Sequence, residues 1–541
     1  MMHRSLLLII CFSMVITVGL IGVPTVAQSD ISSDFHTSER CVSCHGTVVS
    51  SKGETASFAT EWSASIMANS ARDPYWQGSV RREVLDHPQA SDAIQTACAS
   101  CHMPIRYLTD KSQGHKTAVF AYLPFSTNKE DAGADGVSCD VCHQIQSTGL
   151  GTPASFNGQF VVAPPGTNPR PVFGPFSITN PQVIQLHQQI SGYTPTQSGH
   201  IRDAALCGSC HTLYTETLGP DGKPVGRFPE QMTYLEWLHS DYRDKESCQQ
   251  CHMPAVNGSV AIASILGVPR DGVRMHTFVG ANFFVEAMLG AHHDKLGVTA
   301  QPVSLADAKA GITSFLETRA ARVIVGPMEL TQNGLSFPVR VENLTGHKLP
   351  TAFPSRRAWL HVVVTDAESH TIFESGKLNP NGSIIGNAND ADPSRFSPHY
   401  SEITNPDQVE IFEAILGDGD GHVTTGLLYT THYLKDNRIL PAGFDKASAP
   451  GDIAVHGKAV DDPGFIAGAS TTRYALLTNG AKGPFHVAVE LEYQPIGYRW
   501  AQNFVPYHAA EPQQFVMYFD QAAAQSALVL AHANATTNSS Y

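Results

Sequence analysis

The stretch DGVSCDVCHQI, residues 135–145, decides how this chain is read. It sets Cys139 and Cys142 three residues apart and follows them at once with His143. The same Cys-x-x-Cys-His pattern recurs at Cys41/Cys44/His45, Cys98/Cys101/His102, Cys207/Cys210/His211 and Cys248/Cys251/His252. Of the 11 cysteines only Cys11 stands outside it. Two thiols so spaced lie on one turn and can add across the two vinyl groups of one porphyrin. The next residue then offers its imidazole to the metal from one face. Ten cysteines could instead make five disulfides, but a disulfide framework has no reason to place a histidine after each pair. Zinc ribbons use two such knuckles per ion, and five is odd. The pattern therefore predicts five covalently attached haem c groups.

The remaining composition limits the partners. The chain has 541 residues, enough for two or three domains. Hydrophobic residues at 42% and charged residues at 16% describe a folded, loop-rich protein. A formal charge of −14 argues against nucleic acid or an anionic membrane as partner. At the amino terminus Arg4 precedes an apolar run from Leu6 to Val23, and Thr25-Val26-Ala27 offers small residues for cleavage. Residues 1–27 read as a signal peptide, with an uncleaved anchor as the alternative. Cys11 sits behind the bulky Ile9 and Ile10, which argues against lipidation. The expected location is periplasmic or extracellular.

From Cys41 to His252 the motifs share about 210 residues. So little chain cannot wrap each porphyrin separately, so the macrocycles are expected to crowd together and exchange electrons. Each iron also needs a ligand on its second face, usually His or Met. His36, His87, His115, His187, His200, His239, His276, His292 and His293 are more than five irons require. His200, seven residues before Cys207, and His276, between apolar neighbours, are the favoured candidates, with His87 beside them. Met67 lies in ATEWSASIMANSARDPYW, which predicts a helix from about Ala59 to Arg72, ended by Pro74. Trp62, Ile66 and Met67 would share one face there, so Met67 is either core packing or a ligand.

Several stretches around the motifs resemble the multihaem c-type cytochromes, in the branch that includes the tetrahaem acceptor of electrons from hydroxylamine oxidoreductase. They are WSASIMANSARDPYW, DGVSCDVCHQI, LCGSCHTLYT, TYLEWLHSDY before CQQCHMP, and MHTFVGAN, within residues 35 to 300. In that family the helix after the first haem reads Trp-x-x-Ser-x-His, and its histidine is a distal ligand. Here Trp62 and Ser65 match, but Met67 holds the histidine position. Downstream, ENLTGHKLPTAFPSRRAWLHVVV resembles extended members in which a non-haem β-domain follows and the Gly-His-Lys-Leu-Pro histidine turns back to a haem. The resemblance makes His347 a further candidate ligand.

The expected class is α+β: a mainly helical, loop-rich multihaem cytochrome domain followed by a β-sandwich-like domain. The boundaries are read as 28–300 for the haem domain, 301–323 for a bridging helix and 324–541 for the β-domain. The bridging helix, Ser304 to Val323, would be capped by Ser304 with Asp307 three residues on. Phe337, Val339 and Val341 alternate with polar or proline positions and predict a strand near an edge, because of Pro338. Val487 to Tyr493, WLHVVVTD and QFVMYF add further strands. GDGDGH, residues 417–422, lacks a full calcium loop and reads as a turn.

The leading functional expectation is electron transfer between respiratory partners, other cytochromes or a quinol-oxidising membrane complex, in anaerobic respiration. The Cys-x-x-Cys-His cysteines would bind the haems and His45, His102, His143, His211 and His252 their irons. No catalytic residue is assigned. The alternatives are a reductase or oxidase of a small nitrogen or sulfur compound at one open haem, and a subunit of an oligomeric or filamentous conducting assembly. Nitrite reductases with five haems mark their open site with Cys-x-x-Cys-Lys, which is missing here.

Overall fold

The computed structural model describes residues 34–537 apart from 129, 130 and 333, so the predicted signal segment lies outside the described residues. The described chain is mixed α+β: short helices and loops carry the motifs, and two large sheets follow. No described helix is long and apolar enough to cross a membrane.

The stretch expected as one helix from Ala59 to Arg72 is broken. A helix covers Phe58–Ser63, turns follow, and a second helix runs Pro74–Asp86 with Asp73 as its cap. Local side chains compete for the backbone. The Ser65 hydroxyl donates to Trp62 O at 2.7 Å and accepts from Ala68 N at 3.2 Å. Asn69 Nδ2 donates to Ser63 O and Ser65 O, both at 2.9 Å. The bridging helix also shifts. It runs Pro302–Arg319 with Pro302 in its first turn, and Ser304 lies inside it rather than capping it.

Among the described residues the first sheet has six strands, with Gly334–Asn343 hydrogen-bonded to Ala469–Leu477 on one side and to Ala321–Val325 and Glu329–Leu330 on the other. Gly334–Asn343 is therefore not an edge strand. Pro338 is tolerated because it falls where one partner strand has ended at Val325 and the next has yet to begin at Glu329. The second sheet has seven strands, with Arg357–Thr365 and His486–Gln494 at its centre and Leu528–Thr536 beside them. Phe337, Val339 and Val341 of the first sheet and Leu360, Val362, Val489 and Leu491 of the second belong to one apolar cluster. QFVMYF is not a strand but part of the helix Ala510–Ala522. Phe515, Tyr518 and Phe519 are buried at helical spacing, so the 3.6-residue period outweighs the strand-prone composition.

The motif-bearing chain and the sheet-bearing chain interlock along the helix Pro74–Asp86. Arg81 forms a two-point ion pair with Glu511 at 2.8 Å for each bond, and Glu83 accepts from Leu427 N at 2.8 Å. Tyr507 donates its hydroxyl to Asp86 at 2.8 Å.

Candidate haem-binding cavity

Each motif folds into a helical turn. The His45 N–H donates to Cys41 O at 2.9 Å and the His211 N–H to Cys207 O at 3.0 Å. The other three lie in the helices Ser91–His102, Cys139–Gln144 and Cys248–His252. The last two are capped locally: Ser138 accepts from Val141 N at 3.2 Å, and Ser247 forms a reciprocal box with Gln250. None of the ten motif cysteines is in a disulfide, and all ten line a single connected cavity of about 2450 Å³. A small-molecule site spans roughly 300–1,000 Å³, so this one has room for several large groups.

Seven of the eight histidines in its wall, all but His211, share one arrangement. Nδ1–H donates to a backbone carbonyl in His45 (Ile262 O, 2.7 Å), His102 (Ser70 O, 3.1 Å), His143 (Phe173 O, 2.6 Å) and His252 (Val279 O, 2.5 Å). His187 (Tyr193 O, 3.0 Å), His276 (Arg274 O, 3.1 Å) and His347 (Lys348 O, 2.9 Å) do the same. That bond fixes the tautomer and leaves the Nε2 lone pair for a metal.

Three of the motif histidines face a second ring. The centroid separation is 6.4 Å for His45 and His187, for His143 and His276, and for His252 and His347, with planes at 57°, 21° and 14°. An imidazole nitrogen binds a metal at roughly 2 Å, with the ring centre ~1 Å further back. Rings on opposite faces of one ion therefore have centres about 6 Å apart, and these three pairs have that spacing. Paired thiols on one turn, a fixed proximal tautomer and an opposing ring at axial distance fit haem c. Burial pushes His276 and His347 down to about 4, which keeps both rings neutral and able to ligate.

His276, His347 and Met67, expected as second ligands, are in the cavity wall. His200 is not, and both its nitrogens are engaged, Nε2 on Ile145 O at 2.8 Å and Nδ1 with Ser198 Oγ at 2.6 Å. His87 is buried with its ring 4.4 Å from Tyr429, outside the lining. His292 stacks on Tyr518 at 3.4 Å, on the sheet side. The sequence reading passed over His187. Its signal was present: on the helix Pro181–Ser191, Val183, Leu186 and Ile190 make an apolar stripe that contains His187, and all four line the cavity. Among the described residues no second histidine ring faces His102 or His211. Trp76 instead stacks on His102, centroids 4.7 Å apart.

His347 is held by a buried charge network. Its neighbour Lys348 pairs with Asp436 at 2.7 Å, and Arg438 pairs with both Asp436 (2.7 Å) and Glu236 (3.0 Å). Glu236 also accepts from Lys348 N at 3.2 Å and from the Thr351 hydroxyl at 2.5 Å. Glu236 belongs to the helix Thr233–Leu238, just before the fifth motif, so the network ties the His347 loop to the ring it faces.

No protein-family model and no curated protein matches the chain. Among solved structures, a penta-haem cytochrome c552 from Thermochromatium tepidum is similar, with a TM-score of 0.50 and 14% identity over 94% of this chain and 100% of that one. At that identity the likeness speaks to architecture alone: this chain has a multihaem cytochrome fold.

Proposed function

We propose that the chain is an exported pentahaem c-type cytochrome that passes electrons between respiratory redox partners. The observation that carries the reading is the contact between motifs. The side chains of Cys41 and Cys139, of Cys101 and Cys210, and of Cys207 and Cys248 are close neighbours that act on one another electrostatically. Cys142 also acts electrostatically on Cys207 and Cys210. The first motif thus adjoins the third, the third the fourth, and the fourth both the second and the fifth. Haem c supplies one-electron redox chemistry when attached. The ten motif cysteines would hold it covalently, and the wall imidazoles, oriented by their carbonyl bonds, would present Nε2 to its iron.

The net charge of −14 suits partners with a basic docking patch, such as another cytochrome or a quinol-oxidising membrane complex. We read residues 28–300 as the haem domain, 301–323 as a bridge and 324–541 as a sandwich-like β-domain, and residues 1–27 as the export signal. A pyridine haemochrome assay with intact mass tests the reading. It should give five haems per processed chain and a reduced protein that re-oxidises rapidly with a c-type partner. Colourless protein of bare polypeptide mass, or haems that neither accept nor pass electrons, would refute it. Met67→His should lower the potential of one haem in a redox titration; unchanged potentials would assign Met67 to packing.

A second reading, an oxidoreductase with one open haem, is favoured by a specific observation: among the described residues no imidazole faces His211 or His102. High-spin ferric signal in EPR distinguishes it from a wholly low-spin carrier.

A further inference from the structure

Two consecutive arginines enter the strand Arg357–Thr365, and they are used differently. Arg357 is neutralised in the sheet, donating to both oxygens of Asp390 at 2.7 and 2.9 Å and to Gln494 at 2.9 Å. Arg356 lines the cavity and has only neutral acceptors, Thr351 O at 3.0 Å and Asn282 Oδ1 at 3.2 Å. The remaining N–H groups of its guanidinium have no carboxylate partner among the described residues. Its charge acts on His211, His347, Asp73 and Tyr493, which places it among all four. Asp73 feels its charge but makes no direct ion pair with it: that carboxylate caps the helix Pro74–Asp86, accepting from Tyr75 N at 2.8 Å and Trp76 N at 3.4 Å.

Tyr493 lines the same cavity and is only 1% exposed, and its hydroxyl has no hydrogen-bond partner among the described residues. An unpartnered buried hydroxyl and a guanidinium without a direct ion pair in one wall are each costly on their own. Together they offer the cavity an unused O–H donor and the N–H groups that Thr351 and Asn282 leave free. They share the cavity wall with His211, on which the charge of Arg356 acts and which no second imidazole faces among the described residues.

We propose that Arg356 and the Tyr493 hydroxyl form a receptor for a small inorganic oxyanion next to His211. The guanidinium fork matches two oxygens of a bent or trigonal anion, and the phenol supplies a further donor. The proposal deepens the open-haem reading above and rests on it. A porphyrin's own carboxylate offers the same chemistry, so the experiment separates the two sources.

The test uses the fully haem-loaded, oxidised protein and sodium nitrite as probe, followed by calorimetry and by EPR, with sulfite as a second probe. Wild type should bind nitrite and lose high-spin signal. Arg356→Gln should keep five haems and the resting spectrum while weakening nitrite about tenfold or more. Tyr493→Phe, isosteric and apolar at the vacated oxygen, should weaken it less. Nitrite binding equal to wild type in both variants, or no binding to wild type, would overturn the proposal. So would an Arg356→Gln protein whose resting spectrum or haem potentials shift before any nitrite is added, since Arg356 would then partner a porphyrin carboxylate. Failure of the electron-carrier reading shows separately, as haems that do not exchange electrons with a c-type partner whatever the nitrite affinity.

Discussion

The histidines of the cavity and those of the sheets are held in opposite ways. In the cavity the Nδ1–H of His102, His276 and His347 meets only a neutral carbonyl, whose pull toward the charged form is weaker than the loss of solvation. These rings and that of His211 are pushed down to about 4. In the sheets the ring meets carboxylates. His399, 4% exposed, has Glu410 at 2.6 Å on Nδ1 and Asp462 at 2.7 Å on Nε2. Burial opposes its charge, but the two carboxylates outweigh it and hold its pKa above the ordinary value. His361 has Glu492, Glu374 and Glu490 within 3.4 Å and is pushed up to about 9, chiefly by Glu492. One chain thus keeps imidazoles as lone-pair donors in one region and as cations in another, and the bond partner decides which.

The largest effect should come from removing the buried cation. His399→Ala leaves Glu410 and Asp462 facing each other without a counter-charge, with Asn437 Nδ2 still bonded to Glu410 at 2.8 Å. Breaking a buried charged cluster in this way costs about 3–5 kcal/mol. A urea titration of the haem-loaded protein should show that loss. A midpoint unchanged from wild type would mean that His399 is neutral in the folded state, and the contrast between the two regions would fail there.

His361 gives a smaller, pH-dependent effect. Its folded pKa of about 9 lies above the ordinary 6.5, so the folded state binds the proton more tightly than the unfolded chain. The stability it contributes is complete below pH 6.5 and is lost as the pH rises to about 9. His361→Gln should flatten that part of the stability–pH curve without altering haem content or the visible spectrum. A curve that keeps its slope would assign the dependence to another group.

The cavity was far more legible in the sequence than the sheets' polar interior, for a physical reason. Covalent attachment forces cysteines and histidine into adjacent positions, so each motif is written locally. A distal ligand needs only to arrive from elsewhere in the chain. His347 comes from 95 residues beyond His252, and only its resemblance to a known segment drew attention to it. His187 had a local signal, an imidazole on an apolar helical stripe, but so do many core histidines. His399, Glu410 and Asp462 come from three separate loop positions, Glu410 just ahead of the strand Ile411–Asp418, and no pattern of spacing marks them. The helix around Phe515, Tyr518 and Phe519 was misread because β-prone residues can also sit at helical intervals. The break after Ser63 was missed because Ser65 and Asn69 act through side-chain bonds that composition does not reveal.

The smallest effect tests the contact between the two regions. Arg81 on the helix Pro74–Asp86 reaches Glu511 on the helix Ala510–Ala522 through two bonds of 2.8 Å, and its guanidinium lies 3.4 Å from the centre of the Phe120 ring. Its side chain is 25% exposed, so water screens the pair. An exposed ion pair contributes about 0.2–1 kcal/mol and a cation over an aromatic face about 0.5–1 kcal/mol. Arg81→Ala should therefore cost about 1 kcal/mol in urea, several-fold less than His399→Ala, with the slope of the transition unchanged. Arg81→Lys should recover only part, because an ammonium keeps the charge but loses both the two-point geometry and the flat contact with Phe120. If Lys restored wild-type stability, simple charge would suffice at this junction. If Ala cost as much as the loss of His399, the pair would be desolvated in solution, and the contact between the regions would be as tightly enclosed as the sheet interior.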